Sequence, residues 1–230
     1  MGPSSSGLQA IAARALEYVA DGDVVGLGTG HAATAFIETL GQRVAEGFGV
    51  RGIATSDASA ELAGRLGIRL TSFDEVEAID VDIDGADEVD PQLNLIKGYG
   101  AALLREKVVA SASRRVVILV GPEKIVPVIG SRGKLPVEVV PFGLAWCARE
   151  LERLGLPSEP RRRADGDLLL TDNGNAILDC RVGPLERPRQ LDEQLRALPG
   201  VVGTGLFIGL AHTVLIDRGD HVEVRERSGA

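Results

Sequence analysis

The chain has 230 residues, of which 44% are hydrophobic and only 3% aromatic, so its core must be built mainly from Ala, Val, Leu and Ile. A formal net charge of -8 and a pI of about 5.0 argue against nucleic acid or an anionic membrane as the main partner. An anionic small substrate is still allowed, because local basic groups and helix N-termini can bind it. No apolar stretch has the length needed to span a bilayer, and MGPSSSG at 1–7 is expected to be a mobile lead-in rather than a signal peptide.

The cysteines and histidines show no pattern that indicates a disulfide framework or a metal site. Cys147 and Cys180 are the two cysteines, and His31, His212 and His221 lack metal-ligand spacing. We therefore expect a protein of the reducing cytoplasm without a bound metal.

Predicted strands and helices alternate over the first 131 residues. In chain order they are a helix over about 8–19, a strand in DVVGLGTG, a helix in HAATAFIETLGQRVAE, a strand in VRGIAT, a helix in SDASAELAGRLG, strands in IRLTSF and AIDVDID, a helix in GAALLREKVVASA and a strand in RRVVILVG. Ser56 or Asp57 is the expected N-cap of the third helix. This alternation predicts a large α/β domain with a mostly parallel sheet covered by helices.

The pattern changes near residue 132 and predicts a smaller α+β domain with an antiparallel sheet over 132–204. Its expected elements are a strand in LPVEVVPF, a helix in GLAWCARELERLG, a hairpin around Asp172–Asn175, a helix in PRQLDEQLRALPGV and a strand in VGTGLFIG. Two further strands in HTVLIDRGDHVEVRER are expected to complete the large domain, which then comprises 1–131 and 205–230.

The strand AIDVDID alternates apolar and acidic residues, so Asp80, Asp82 and Asp84 share one face. For Asp80 and Asp82 we expect a solvated acidic face. These aspartates and Gly85 also match the first half of an EF-hand loop, but the twelfth position, which requires a bidentate Glu, is Pro91. Calcium binding is therefore disfavoured.

An acid–base site is the other interpretation of this region. Ligands of parallel sheets bind outside the carboxyl ends of the strands, where Asp84 and Asp87 are expected. Lys97 follows in IKGYG and Glu106 on the next helix, so carboxylates and a lysine could move protons and stabilise an oxyanion. Glu106 taken alone is more typical of a surface residue paired with a neighbouring Arg or Lys.

The stretch GLGTGHAA, Gly26–Ala33, links a predicted strand to a predicted helix. Exposed amides at that helix start suit a phosphate, although the near match to G-x-G-x-x-A is shared by many nucleotide sites. The glycines could instead serve only a tight strand–helix turn. His31 could face a ligand or simply lie on the surface.

Together, these stretches resemble ribose-5-phosphate isomerase, type A. The matching stretches occur in family order over nearly the whole chain: VGLGTG, TSDAS, DIDGADEVD, IKGYGAALLREK, LPVEVVPF, TDNGNAILD and PGVVGTGLF. The resemblance implies a small-molecule sugar phosphate as substrate, no metal or organic cofactor, and a homodimer or homotetramer.

The resemblance also assigns roles in the interconversion of ribose 5-phosphate and ribulose 5-phosphate. Glu106 would be the base that moves a proton between C2 and C1. Asp84 and Asp87 would hold sugar hydroxyls and assist ring opening. Lys97 would neutralise the negative charge that develops on the substrate. Further substrate-binding roles fall to the amides of Gly98 and Gly100, to Lys124, and to Gly28, Thr29 and Gly30 near the phosphate.

Three departures from the family pattern concern substrate binding. His31 and Ala32 replace a usual Ser-Thr pair, Leu8 stands where a lysine is frequent, and Tyr99 interrupts a run of glycines. These departures leave two alternatives open: an isomerase for a different or modified sugar, and a non-catalytic sugar-phosphate binding protein. Acyl-CoA transfer by a glutamate nucleophile is disfavoured, because Glu106 is predicted on a helix.

Overall fold

The structure is a computed structural model and describes residues 5–227. Residues 1–4 of the expected lead-in at 1–7 lie outside the described part of the chain. The first helix begins at Ser5, within that expected lead-in. None of the helices among the described residues combines the length and the hydropathy needed to cross a membrane.

The described elements are fourteen strands and six α-helices. The strands are β1 (Val24–Leu27), β2 (Arg51–Ala54), β3 (Arg69–Leu70), β4 (Ile79–Gly85), β5 (Glu88–Val89), β6 (Leu95–Ile96), β7 (Ser113–Val120), β8 (Lys134–Val139), β9 (Ser158–Pro160), β10 (Ala176–Arg181), β11 (Val201–Thr204), β12 (Leu206–Phe207), β13 (Thr213–Asp217) and β14 (Val222–Glu226). The helices are α1 (Ser5–Ala15), α2 (His31–Ala45), α3 (Asp57–Arg65), α4 (Leu103–Ala112), α5 (Leu144–Arg153) and α6 (Pro188–Arg196).

The chain divides into two compact units. Among the described residues, the first contains 5–86, 105–125 and 209–227, and the second contains 87–104 and 126–208. This division differs from the expected boundaries mainly at 87–104, which group with the second unit because β5 and β6 form a sheet with β12.

A seven-stranded sheet in the order β14-β13-β7-β4-β1-β2-β3 forms the centre of the first unit. All its strand pairs are parallel except the β13–β14 pair, which confirms the predicted mostly parallel sheet. On one face, Leu27 and Ile83 pack with Ile11 of α1 and Phe36 of α2. On the other face, Val109 of α4 packs in a smaller cluster, so helices cover both sides of the central strands.

The second unit contains a four-stranded antiparallel sheet in the order β11-β8-β10-β9 and the three-stranded sheet β12-β6-β5. Its core joins apolar residues of β8 and β10 to residues of α5 and α6, among them Val137, Leu178, Leu151 and Leu195. The predicted strand VGTGLFIG is in fact two strands, β11 and β12, which belong to different sheets.

The predicted hairpin around Asp172–Asn175 forms only in part. The turn is present, since the Gly174 amide donates to the Thr171 carbonyl at 2.8 Å and Gly174 has a φ of 75°. Before the turn, however, Leu170 makes only an isolated bridge to Ala176. The physical reason is competition, because β9 occupies the edge of β10 from Leu178 onward.

Candidate active site

The acidic residues of β4 lie inside the first unit rather than on a solvated face. Asp82 and Asp84 are each only 1% exposed, because β4 is the central strand of the sheet. Asp80 is half-buried, accepts from the Val24 amide at 2.9 Å and pairs with Arg114 at 2.8 Å. The expected solvated face is therefore wrong for Asp82. The aspartates also lie on a strand rather than in a calcium-binding loop.

Two glycines next to β4 make room for the buried carboxylates. Gly26 of β1 is in register with Asp82, and a Cβ at Gly26 would lie 2.5 Å from its Oδ1. A Cβ at Gly28 would lie 2.2 Å from Oδ1 of Asp84. These glycines therefore permit a close approach of backbone to carboxylate, which a tight turn alone does not explain.

Hydrogen bonds fix the loop that follows β1 against Asp84 and against the start of α3. The Thr29 amide donates to Oδ1 of Asp84 at 3.1 Å, while its hydroxyl donates to Oγ of Ser56 at 2.8 Å. The Ser59 hydroxyl donates to the Gly28 carbonyl at 2.7 Å, and Thr55 lies 2.7 Å from the Thr29 hydroxyl. Thr55, Ser56 and Ser59 were not predicted as supports of this loop, although the stretch TSDAS contains all of them.

Ser56, not Asp57, is the N-cap of α3, since its side chain accepts from the Ser59 amide. Asp57 instead pairs with Arg105, with 2.6 Å between Oδ1 and Nη1. Since Arg105 lies in the first turn of α4 and Asp57 follows β2, this contact places the start of α4 at the carboxyl ends of the strands.

Glu106, in the same first turn of α4, is only 4% exposed, so the alternative of a surface glutamate is wrong. Lys124 is half-buried in a short turn after β7. Because β7, β4 and β1 are adjacent and parallel, Lys124, Asp84 and the Thr29 loop lie at the same edge of the sheet. The first unit therefore gathers carboxylates and a lysine where ligands of such sheets bind.

The same edge includes the start of α2. Gly30 is its N-cap with a φ of 105°, and His31 is its first residue, with an exposed side chain. A glycine has no side chain to cap the first amides of the helix, which suits an anion at this helix start.

Asp87 and Lys97 belong to the second unit, where backbone pairing fixes both. The Asp87 amide donates to the Ile96 carbonyl at 2.8 Å, and the Lys97 amide donates to the Gly205 carbonyl at 2.9 Å. Lys97 is 3% exposed, and its Nζ lies 5.7 Å from the centroid of the Phe207 ring. Both residues come directly before or after the short strands of one small sheet.

The loop after Lys97 bonds to Asp87 through an amide other than the predicted ones of Gly98 and Gly100. The Tyr99 amide donates to Oδ2 of Asp87 at 2.9 Å. Gly98 has a φ of 105° and no room for a side chain, because a Cβ there would lie 2.7 Å from Leu103. Gly100 is exposed at the end of the loop.

The Tyr99 side chain extends toward the antiparallel sheet of the second unit. Its ring centroid lies 4.6 Å from Nζ of Lys134, within cation–π range. Burial raises the pKa of Tyr99 to about 12, and the negative charges of Asp87 and Glu88 act in the same direction.

Comparison with known proteins identifies the family of this chain. Residues 51–221 match the family model described as ribose 5-phosphate isomerase A (phosphoriboisomerase A). The chain belongs to this family. The ribose-5-phosphate isomerase A of Bradyrhizobium diazoefficiens is 47% identical over 226 residues, which cover 94% of this chain and 93% of that protein. The ribose-5-phosphate isomerase A of Gloeobacter violaceus is 49% identical, with 96% of each chain covered.

Solved structures of the family share the fold. A D-ribose-5-phosphate isomerase in complex with phospho-erythronic acid superposes with a TM-score of 0.94 at 35% identity, covering 98% of this chain and 100% of that one. The ribose 5-phosphate isomerase of Plasmodium falciparum gives a TM-score of 0.93 at 32% identity, with coverages of 98% and 100%. The predicted fold class and the family resemblance are thereby confirmed.

Proposed function

We propose that this protein is a ribose-5-phosphate isomerase, which interconverts ribose 5-phosphate and ribulose 5-phosphate. The observation that carries the proposal is the pair of buried carboxylates, Asp84 and Glu106, in the first unit of a chain that belongs to this family. Reversible transfer of a proton between C2 and C1 needs a base shielded from bulk water, and a buried carboxylate meets that need.

In this proposal Glu106 removes the C2 proton of the open-chain aldose. The electrons of the C–H bond form the C1–C2 double bond of a cis-enediolate, and the aldehyde oxygen takes up negative charge. Glu106 then returns the proton to C1, while the hydroxyl proton of the C2 oxygen passes to the C1 oxygen. The C2 oxygen thereby becomes the ketone and the C1 oxygen a hydroxyl. The same residue serves as base and acid, so no proton is lost in the cycle.

The remaining acidic and basic residues assist the same steps. Asp84 and Asp87 hold sugar hydroxyls and help to open the ring, and Lys97 neutralises the developing oxyanion together with the amides of Gly98 and Gly100. The charge of Lys97 is suited to this task, because a cation in a buried setting acts more strongly than one in water.

We place the phosphate of the substrate at the start of α2. The amides after Gly30 and the exposed His31 offer donors there, and Lys124 lies at the same edge of the sheet. Gly28 and Thr29 shape the loop, since the Thr29 hydroxyl is bound to α3. In this arrangement, backbone amides and His31 take the place of the hydroxyls of the family's usual Ser-Thr pair.

The deciding experiment compares the wild-type protein with Glu106→Gln in the conversion of ribose 5-phosphate. We expect kcat to fall by about 10²–10⁴-fold, the contribution typical of a general base. Glu61→Gln is the matched control, because Glu61 is an exposed glutamate that pairs with Arg65 within α3. Circular dichroism checks that both variants are folded.

A folded Glu106→Gln protein that isomerises at the wild-type rate would show that Glu106 is not the base. A panel of pentoses and hexoses, each with and without phosphate, tests the substrate. Faster turnover of a sugar other than ribose 5-phosphate would instead favour the alternative that His31 and Ala32 mark a changed specificity.

We further propose a homodimer or homotetramer located in the cytoplasm. The assembly proposal rests on the family resemblance, and light scattering of the purified protein measures the mass of the particle. A monomer mass at the concentrations used for the activity assay would contradict it.

A further inference from the structure

Arg161 of the second unit lies where no proposed substrate contact requires it, yet its side chain is only 10% exposed. Its Nη1 donates to the carbonyl of Gly98 at 2.8 Å and to the carbonyl of Tyr99 at 3.1 Å. An arginine buried against the backbone of a loop fixes the direction of the peptide planes in that loop.

Asp179 of β10 holds the guanidinium in this position. Nε of Arg161 donates to Oδ2 of Asp179 at 2.9 Å, and Nη2 donates to Oδ1, so the pair is bidentate. Lys134 also reaches Oδ2 of Asp179 at 3.1 Å. Asp179 lies on β10 and Lys134 on the neighbouring strand β8 of the antiparallel sheet, so Arg161 is anchored to a rigid element.

One peptide unit connects Arg161 to Asp87. The carbonyl of Gly98 and the amide of Tyr99 belong to the same planar trans peptide and point in opposite directions. The carbonyl accepts from Arg161, and the amide donates to Oδ2 of Asp87 at 2.9 Å. A cation on the carbonyl polarises the peptide, which makes its N–H a stronger donor to the carboxylate.

This peptide unit needs an external support. Gly98 has a φ of 105° and Ala101 a φ of 65°, so the loop contains a residue with wide conformational freedom and another in the left-handed region. Without Arg161, rotation about the bonds that flank the 98–99 peptide would withdraw the Tyr99 amide from Asp87.

We propose that Arg161 is a positioning residue of the isomerase reaction: through the 98–99 peptide it holds the carboxylate of Asp87 in its working orientation. The inference rests on the proposed function, because it presupposes that Asp87 takes part in catalysis. Arg161 itself is not proposed to touch the substrate.

The first test measures kcat and KM of Arg161→Gln, Arg161→Lys and Arg162→Gln. We expect kcat/KM to fall about 10- to 100-fold in Arg161→Gln, the factor that corresponds to one charged hydrogen bond, and less in Arg161→Lys, which keeps a cationic donor. Arg162 is the matched control, because this neighbouring arginine is exposed and donates to the Gly166 carbonyl at 2.8 Å, away from the 98–99 peptide. Wild-type kinetics of Arg161→Gln would overturn the proposal.

A double-mutant cycle with Asp87→Ala separates positioning from a general loss of structure. If Arg161 acts through Asp87, then Arg161→Gln lowers kcat/KM by less than about twofold in the Asp87→Ala background. If the two losses multiply, Arg161 acts elsewhere and the proposal is wrong. Wild-type activity of Asp87→Ala alone would instead refute the proposed role of Asp87, so the two failures are distinguishable.

Hydrogen exchange of the Tyr99 amide, followed by NMR, provides a readout that does not depend on activity. We expect exchange at Tyr99 to accelerate at least about tenfold in Arg161→Lys, while amides of β8 remain as protected as in the wild type. This conservative variant keeps the test possible if Arg161→Gln fails to fold. Unchanged protection at Tyr99 would overturn the proposal.

Discussion

Replacing Gly28 by alanine tests how closely the loop after β1 is fitted to Asp84. The new Cβ would lie 2.2 Å from Oδ1 of Asp84, 2.4 Å from its Cγ and 2.6 Å from its Cα. Because one of these atoms belongs to the backbone of the central strand, a side-chain rotation cannot relieve the overlap.

The expected effect follows from the size of that overlap. To restore an ordinary contact, the loop and Asp84 must separate by about 1 Å, and a displacement of that size at a reacting group costs about 10²-fold in rate. Overpacking in a well-packed interior adds a loss of about 1–3 kcal/mol in the free energy of unfolding. We therefore expect Gly28→Ala to be folded, less stable and about a hundredfold slower.

Two other glycines provide controls for the same chemical change. A Cβ at Gly85, the residue after Asp84, would meet only the Leu119 carbonyl at 3.8 Å, and a Cβ at Gly64 in α3 would meet nothing within 4 Å. Gly85→Ala should therefore keep wild-type kcat/KM. Gly64→Ala should raise the free energy of unfolding by about 0.5–1 kcal/mol, because alanine loses less backbone entropy in a helix.

The assay combines steady-state kinetics of ribulose 5-phosphate formation with urea unfolding of all three variants. A kcat/KM of Gly28→Ala within twofold of wild type would contradict this expectation, because the position of Asp84 would then not depend on the absence of a side chain at Gly28.

Two further predictions concern titrating groups of the second unit. The chain has two tyrosines, so the titration of Tyr99 is obtained as the difference in phenolate absorbance between the wild type and Tyr99→Phe. This difference should appear only near pH 12, because burial raises the pKa of Tyr99 to about 12. A midpoint near pH 10 in the folded protein would contradict this prediction. For Asp179, burial alone would raise the pKa, but the hydrogen bonds and charges of Arg161 and Lys134 lower it below its usual value. Its stabilising contribution is therefore complete above about pH 4 and disappears as the pH falls through the lowered pKa. Asp179→Asn should lower the free energy of unfolding by about 1–3 kcal/mol at pH 7 and by clearly less at pH 3. An equal loss of stability at pH 7 and pH 3 would contradict the lowered pKa of Asp179.

Periodicity and turn chemistry predicted most of the first unit. Alternating strands and helices led to the parallel sheet, and Ser56 was one of the two candidates for the N-cap that the structure contains. The period of two in β4 correctly grouped Asp80, Asp82 and Asp84 on one face. It could not tell that α4 and the neighbouring strands bury that face, because alternation describes a strand and not what packs on it.

The second unit was predicted less completely, for two physical reasons. The hairpin turn at Gly174 was found from its residues, but β9 competes for the edge that the first arm would have used. The short strands β5 and β6, two residues each, carry too little pattern to be recognised, and their pairing with β12 depends on contacts distant in the chain.

The sequence by itself determined the fold class, the family and the residues that carry charge at the carboxyl ends of the strands, because those depend on local periodicity and on motifs read along the chain. Only the tertiary structure decided which carboxylates are buried and why the positions of Gly26 and Gly28 have no room for a side chain. It also decided that Arg161 donates a hydrogen bond to the Gly98 carbonyl, 63 residues earlier in the chain. Such contacts join segments that no local pattern relates, so only the packing of the folded chain brings them together.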